Sequence, residues 1–577
     1  MGRLSWLFLS LSAIAGRACA QLDGATPSSE TFLRRGYHSS KATVGGGFVW
    51  IDGGAFSYYK NQVNRYYSNT LLALDLREDW TNDTVSFISN AKDLPAGSNP
   101  STAPSLLYGN GLWYDDDTGY LYTGFSGLRY YSGAAGWPME LTVFKTDGEG
   151  GGTWATALNA STNAFNDMIR PMHPAVAAGN GKGYALGGTT PVNDTETEIM
   201  AGGMLSFDFE TKLFRNSTVQ IHGGYTSLAN MVYVPQFGEE GIFVLIGGAF
   251  TQGPYDIDWY SNGEIYVMDA KTEVFYSQNT TGVTPPSGRE EFCTAVVAST
   301  NETVEIFMYG GWGGTLGEEQ ATPYDEIYIL TLPAFEWVKV DYTPAQARLA
   351  HSCEAVGGSQ ILVIGGLDGS TSDVTYNGTF NDRDPNEQGL AVFNMTSLDW
   401  ETKYTADSPA YVQSDLVAEV YTSGTGNATW DNDNIESIFS KRNFTITSSG
   451  GAGNNGTGTG STTSSQKSSS SSSSSSLSGG AIAGIVVGCV AGVAVVAGLL
   501  AFCCIRRRRA GGKGAAGGAP AEPQQQQHPA AEAQSNDIME LHGHDRLEMD
   551  ASAKPPYQYS PLAELPGGEL PAKHQMR

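Results

Sequence analysis

Cysteine is scarce in this chain of 577 residues. Of the six present, Cys19 lies in an N-terminal leader, and Cys489, Cys503 and Cys504 lie in a late apolar run. Only Cys293 and Cys353 remain between them, which allows one disulfide at most. Histidine is also rare there, with His38, His173, His222 and His351 alone. A Gly-x-Ser-x-Gly elbow, a His-Glu-x-x-His pair and a phosphate loop are all missing, so the common hydrolase and nucleotide signatures have no carrier. Metal ligands at recognisable spacing are missing too. No catalytic residue, metal site or cofactor is expected. Acidic pairs such as Asp256/Asp258 and Glu318/Glu319 sit among many other acids and read as solvated loops, and Asp115-Asp116-Asp117 reads as a turn. Positive charge is in deficit, with 33 Lys and Arg against 60 Asp and Glu. With the leader and the C-terminal tail set aside, 22 basic and 51 acidic residues remain, a net of −29. Such a surface argues against nucleic acid and anionic lipid head groups. It leaves cationic, metal-bridged or neutral partners, or plain solubility.

Glycine, by contrast, recurs in pairs at the ends of hydrophobic strands. The pairs are Gly53-Gly54, Gly187-Gly188, Gly247-Gly248, Gly310-Gly311 and Gly365-Gly366, and a degenerate copy surrounds Gly124. An aromatic residue follows each after a second strand: Trp80, Trp154, Phe214, Phe275, Trp337 and Trp400. Each unit offers four short segments rich in Val, Ile, Tyr and Phe, bounded by Gly, Pro, Asn and Thr. One four-stranded sheet cannot bury both of its faces, whereas six arranged radially can, and that arrangement is a β-propeller.

The pattern resembles the kelch repeat, with six copies across most of residues 31–421. The resemblance implies an all-β, six-bladed propeller with extended loops. Arg35-Gly-Tyr-His38, Arg170-Pro-Met-His173 and Arg348-Leu-Ala-His351 are expected at one repeat position, where the fifth copy has Arg289-Glu-Glu-Phe292. The segment ending Tyr411–Tyr421 is a candidate closing strand. Cys293 and Cys353 fall in the first strand of consecutive units, which a propeller brings together around its channel. In an oxidising compartment a disulfide is the natural outcome, and two buried free thiols are the alternative. An enzymatic rival is a copper oxidase on the same scaffold, similar to galactose oxidase, or another carbohydrate-active enzyme. The oxidase needs two histidines, two tyrosines and a tyrosine–cysteine cross-link at one metal. The repeat position accounts for three of the histidines without any metal.

Topology follows from two apolar runs. Residues 1–20 read as a signal peptide, with Arg3 before Leu4–Ile14 and Ala18-Cys19-Ala20 as a cleavage site. Residues 481–505 carry no charge and are followed by Arg506–Arg509, which reads as one transmembrane helix with its C-terminal side in the cytoplasm. The expected order is a propeller over 21–447, a Ser/Gly-rich stalk over 448–480, the span, and a disordered tail over 506–577. This makes a single-pass type I plasma-membrane protein with an extracellular propeller, and its overall pattern resembles filamentous-fungal surface proteins. Sequons at Asn82, Asn159, Asn193, Asn216, Asn279, Asn301, Asn377, Asn394, Asn427, Asn443 and Asn455 all precede the span. Cys503 and Cys504 suit palmitoylation. Gly480, Gly484, Gly488 and Gly492 share one helix face suited to homodimer packing. The tail end around Tyr557, Tyr559 and Ser560 reads as a docking peptide for a cytosolic partner.

The segments after the glycine pairs should crowd one end of the ring as long loops. They carry Tyr58, Tyr59, Tyr66, Tyr67, Tyr130, Tyr131, Trp137, Tyr255, Trp259 and Trp312. Rigid aromatics on a rigid scaffold commonly form binding surfaces, and flat rings can stack on sugars. An extracellular protein or a cell-wall glycan is the expected ligand. Mutual packing that steadies the loops is the competing reading.

Overall fold

The computed structural model describes residues 30–444, except 44–46, 60–62, 69, 93–108, 125–139, 160–170, 192–197, 222–223, 252–256, 283–285, 315–321, 344–346, 370–377 and 424–427. Six antiparallel sheets follow one another in the chain, each with a four-strand core, and the first carries a fifth strand besides. Blade 1 is built from Phe32–Ala42, Phe48–Tyr59, Thr70–Asp75 and Phe87–Ala91, and blade 2 from Gly111–Asp115, Tyr120–Gly124, Glu140–Thr146 and Gly152–Asn159. Blade 3 holds Ala175–Gly179, Lys182–Leu186, Met204–Asp208 and Phe214–Ser217, and blade 4 Asn230–Val234, Ile242–Ile246, Glu264–Asp269 and Val274–Asn279. Blade 5 holds Cys293–Ala298, Val304–Tyr309, Ile327–Leu332 and Glu336–Lys339, and blade 6 Ser352–Val356, Gln360–Ile364, Leu390–Asn394 and Asp399–Glu401. The first strand of each blade touches the first strands of its two neighbours, and blade 1 touches blade 6, so the six form a closed ring.

The second strand shows why blades stack. Ile242–Ile246 reads IFVLI and is buried throughout. Successive side chains of a strand point to opposite faces. Ile242, Val244 and Ile246 therefore enter the core shared with blade 5, while Phe243 and Leu245 enter the core shared with blade 3. Every adjacent blade pair has such a core, including blades 1 and 6, where Val49, Ile51, Leu72 and Leu74 meet Leu362, Ile364, Leu390 and Val392. Burying each of these side chains contributes roughly 1.5–3 kcal/mol. The spaced aromatics hook neighbours together: Trp337 Nε1 donates to the carbonyl of Asn262 at 2.9 Å, and Trp154 Nε1 to that of Ala91 at 2.9 Å.

The glycine pairs end the second strands where the next blade presses closest. A Cβ on Gly365 would lie 2.5 Å from the Arg35 carbonyl oxygen and 2.8 Å from His38 Cε1; one on Gly310 would lie 2.6 Å from the Arg348 carbonyl oxygen. The N–H of the second glycine donates to that same repeat position in the following blade. Gly248 pairs with Arg289, Gly311 with Arg348, and Gly366 with Arg35. Beside these links runs a ring of left-handed residues, Tyr37, Gly109, His173, Leu228, Glu291 and Ala350, with φ between 54° and 58°. The N–H groups of Gly109, His173, Leu228, Ala350 and Tyr37 each donate to the carbonyl of the ring member in the preceding blade, at 2.9 to 3.0 Å.

Three expectations are corrected here. The segment proposed as a closing strand is largely helical. Helix α1, Asp415–Thr422, is capped by Ser414, whose side chain accepts from the Val417 N–H; it buries Val417 and Val420, and Val417 joins the core of blades 5 and 6. The ring instead closes by face packing, by the Gly366 and Tyr37 hydrogen bonds, and by pairing of Lys403–Tyr404 with Trp80–Thr81. Secondly, His173 does not share the position of His38 and His351. It occupies the left-handed ring position itself, so Pro174 stands where the other blades place His38, Phe292 and His351. The register of blade 3 is shifted by one residue. Thirdly, the segments after the glycine pairs are not plain loops; their described parts form a second tier of short sheets.

Helix α2, Asp433–Phe439, lies beyond α1 and buries Ile435, Ile438 and Phe439 against Phe237, Phe335 and Trp337 of blades 4 and 5. Among the described residues no helix is long and apolar enough to cross a membrane. The expected signal peptide, stalk, span at 481–505, tail, Cys503 and Cys504 lie outside the described residues.

Candidate functional site

Two features sit at the ring: an aromatic and acidic crown above it, and the channel through it. The crown consists of short sheets that continue past the glycine pairs. In blade 1, Phe48–Tyr59 runs on to pair with Val63–Tyr67. In blade 4, Ala249–Thr251 pairs with Tyr225–Ser227 and Ile257–Trp259. In blade 5, Trp312–Gly314 pairs with Gly288–Glu290 and Thr322–Pro323, and in blade 6 Leu367–Asp368 pairs with Arg348–Leu349. Extended backbone with paired hydrogen bonds holds a binding rim more firmly than free loops would.

The expected ligand-binding aromatics distribute as follows. Tyr58 is half-buried and stacked on Phe56, and Tyr59 at the strand end is 56% exposed. Tyr66 and Tyr67 pair with Phe56 and Ala55 through the backbone. Trp312 is half-buried and packs against a cluster of Ala55, Leu349, Ala350, Leu367 and Phe380, which joins blades 1, 5 and 6. Trp259 is half-buried. Tyr130, Tyr131, Trp137 and Tyr255 lie outside the described residues. The structure thus brings Trp259 and Trp312 together around a residue that sequence reasoning missed, Glu290. Burial pushes the Glu290 carboxyl up to about 8 and the neighbouring Glu291 adds to this; the Trp312 and Trp259 indoles against it pull the other way, although Trp312 Nε1 completes no full hydrogen bond. Glu291 accepts a long hydrogen bond of 3.4 Å from the Tyr37 hydroxyl, and the Tyr37 ring stacks on His173 at 5.6 Å. The only sequence signal for this acid pair was the departure of blade 5 from Arg-x-x-His.

The channel encloses about 300 Å³. His38, Lys41, Asn110, His351, Glu354 and the Cys293–Cys353 disulfide are among the groups that line it. The bridge joins the first strands of blades 5 and 6, with Cα atoms 5.4 Å apart. His38 Nε2 and the Ser352 hydroxyl share a 2.9 Å hydrogen bond. Burial, reinforced by Arg35, holds His38 down at about 3; burial, Arg348 and His38 hold His351 well below its usual range. Both histidines are therefore neutral at physiological pH. Facing side chains into the channel brings His38 and His351 within electrostatic reach of each other, while the His173 ring stacks on Tyr37 instead of lining the channel. The two cysteines are bonded to each other, so neither is cross-linked to tyrosine.

Buried ion pairs brace the surrounding blades. Arg348 forks onto Asp384 with two contacts of 2.7 Å while its carbonyl accepts from Gly311. Lys92 meets Asp52 at 2.7 Å with both side chains almost fully buried, and Asn110 donates to the second Asp52 oxygen at 3.2 Å. Of the sequon asparagines, Asn216, Asn279, Asn301 and Asn443 are exposed; Asn82 and Asn394 are half-buried and donate to Leu390 and Glu401. The backbone of Asn159 lies in the last strand of blade 2. Asn193, Asn377, Asn427 and Asn455 lie outside the described residues.

No family model matches the chain. It is 25% identical over 421 residues to a Kelch repeat-containing protein of Arthroderma benhamiae, a match that covers 64% of this chain and 57% of that protein. The chain thus spans a little over half the length of that relative. Among solved structures, one titled "Structure of YjhT" aligns with 64% of this chain and 97% of its own, at 13% identity and a TM-score of 0.41.

Proposed function

We propose that this kelch-repeat homologue is a binding and scaffold protein whose crown recognises an extracellular protein or a cell-wall glycan. The observation that carries the reading is the sheet-braced crown, which sets exposed Tyr59 and the Trp259–Glu290–Trp312 group on a rigid ring. Aromatic groups of this kind bury large area at low entropic cost and offer flat faces to sugar rings. In this reading the propeller stands outside the cell on a glycosylated stalk, is tethered by one helix over 481–505, and signals or docks through its tail. The full chain, probed against an array of cell-wall oligosaccharides and surface proteins, should retain a defined ligand. Tyr59→Ala should weaken that binding at least fivefold and leave the unfolding midpoint unchanged. Retention of nothing, or full affinity after the substitution, refutes the crown as the binding face. Glycopeptide mapping tests the compartment: glycans on exposed Asn216, Asn279 or Asn301 support an outside propeller, and their complete absence from the native protein counts against it.

A further inference from the structure

His351 is out of place as a purely structural residue. It is 7% exposed, and neither ring nitrogen completes a full hydrogen bond among the described residues, although the Tyr309 and Leu349 backbones lie close enough to favour a ring N–H. A buried polar group left short of full hydrogen bonds is costly, and native structures rarely carry one without a reason. Its place is fixed by the fold. Ala350 before it takes the left-handed ring position, its carbonyl accepts from the Tyr37 N–H, and the His351 ring is packed edge-on to Tyr309 at 5.1 Å. That placement aims the imidazole at the disulfide: a ring nitrogen and the Sγ atoms of Cys293 and Cys353 all lie within 4.8 Å of one another.

We propose that, when the disulfide is reduced, Cys293, Cys353 and His351 bind one zinc(II) ion in the central channel. The reductant is a small thiol or dithiol. Two thiol groups give up their hydrogens to the bridge, the S–S bond breaks into two cysteine thiols, and the reductant leaves as its own disulfide. Zinc then displaces the two thiol protons, and a neutral imidazole nitrogen donates its lone pair. Two thiolates and one imidazole are a ligand set that zinc favours, and three protein ligands leave a fourth position for water or a channel ligand. Breaking the S–S bond lets the sulfurs separate toward the roughly 3.8 Å that two thiolates at about 2.3 Å from one tetrahedral zinc require. The channel has room for the hydrated ion and the reductant, and Cys353 is only half-buried. The propeller would thus hold a bridge in an oxidising compartment and a metal in a reducing one, at the same three residues.

The experiment uses the purified full chain. After treatment with a phosphine reductant, zinc(II) is titrated in competition with a chromophoric chelator, and cobalt(II) is used as a spectroscopic stand-in. The oxidised chain should bind no ion at this site. The reduced chain should bind one equivalent, and its cobalt form should show sulfur-to-metal charge-transfer bands. His351→Ala should weaken zinc binding at least tenfold, and the C293S/C353S double variant, which keeps Cys489, Cys503 and Cys504, should abolish the equivalent. The proposal is overturned if the reduced chain takes up no stoichiometric zinc, or if His351→Ala binds as tightly as the unsubstituted chain. It is also overturned if reduction destroys the β-sheet circular dichroism with and without zinc, because the site needs the folded ring.

Discussion

Replacing Gly365 by alanine tests why the glycine pairs exist. Gly365 has φ of +64°, a conformation that costs an alanine about 1–2 kcal/mol. Its new methyl group would also sit 2.5 Å from the Arg35 carbonyl oxygen and 2.8 Å from His38 Cε1, both on blade 1. The carbonyl cannot retreat freely, because it accepts the Gly366 N–H at 2.6 Å across the join between blades 6 and 1. Forced overpacking of this kind costs about 1–3 kcal/mol, and weakening that hydrogen bond adds about 1 kcal/mol. The expected loss is about 3–6 kcal/mol. Gly181 supplies the control. Its φ is +70°, yet nothing lies within 4 Å of its Cβ position, so Gly181→Ala should cost only the backbone share, about 1–2 kcal/mol. Equilibrium urea unfolding of the full chain, followed by tryptophan fluorescence, measures both. Equal losses at the two positions would show that close blade approach contributes nothing, and the account of the glycine pairs would fall.

Lys92→Met should destabilise the propeller by about 3–5 kcal/mol, because it strands Asp52 as a buried charge; adding Asp52→Asn should recover part of that loss, and an additive double variant would refute the coupling. Glu290 is raised to about 8 in the folded chain against an ordinary value of 4.5, so the native state holds a proton that the unfolded state has released, and stability falls as pH rises through that window. His38, depressed to about 3 from 6.5, acts in the opposite sense: its contribution is lost as pH falls below 6.5. The two oppose each other between about pH 4.5 and 6.5, and burial raises the Glu305 carboxyl to about 7, so the cleaner range is about pH 7 to 8. There Glu290→Gln should flatten the decline in the unfolding midpoint, and an unchanged slope would refute the assignment.

The repeat was legible because it is local. Strand, glycine pair and spaced aromatic recur within each unit, and even degenerate blade 2 was found from Gly124 and Trp154. What escaped was set by contacts between units. The one-residue shift at His173 shows only when its backbone is placed beside Gly109 and Leu228 in the ring. The Tyr411–Tyr421 segment has strand-like residues, but Val417 and Val420 fall on one helical face and Ser414 caps it, so packing against blades 5 and 6 decides for helix. The crown sheets pair residues across intervening core strands, as Glu290 does with Trp312 across the first two strands of blade 5. Glu290 itself looked like any of the surplus acids until Trp259 and Trp312 enclosed it. The Cys293 and Cys353 pairing was readable from their equal strand positions, whereas the third group beside them was hidden by its membership of an apparent repeat.

The two helices that follow blade 6 have a mechanical consequence. The chain leaves the last blade at the join with the first, crosses blade 5 with α1, and anchors α2 on blade 4. There the N–H of Asn443 donates to the Gln236 carbonyl, and the N–H of Gly238 donates to that of Lys441. A pull on the polypeptide beyond residue 444 would therefore load the strap on blades 4 and 5 first, in the manner of a rope belayed around a post. The join between first and last blades, where a ring made from one open chain is weakest, would feel that load only after Phe439 and Ile438 had been torn from their seat.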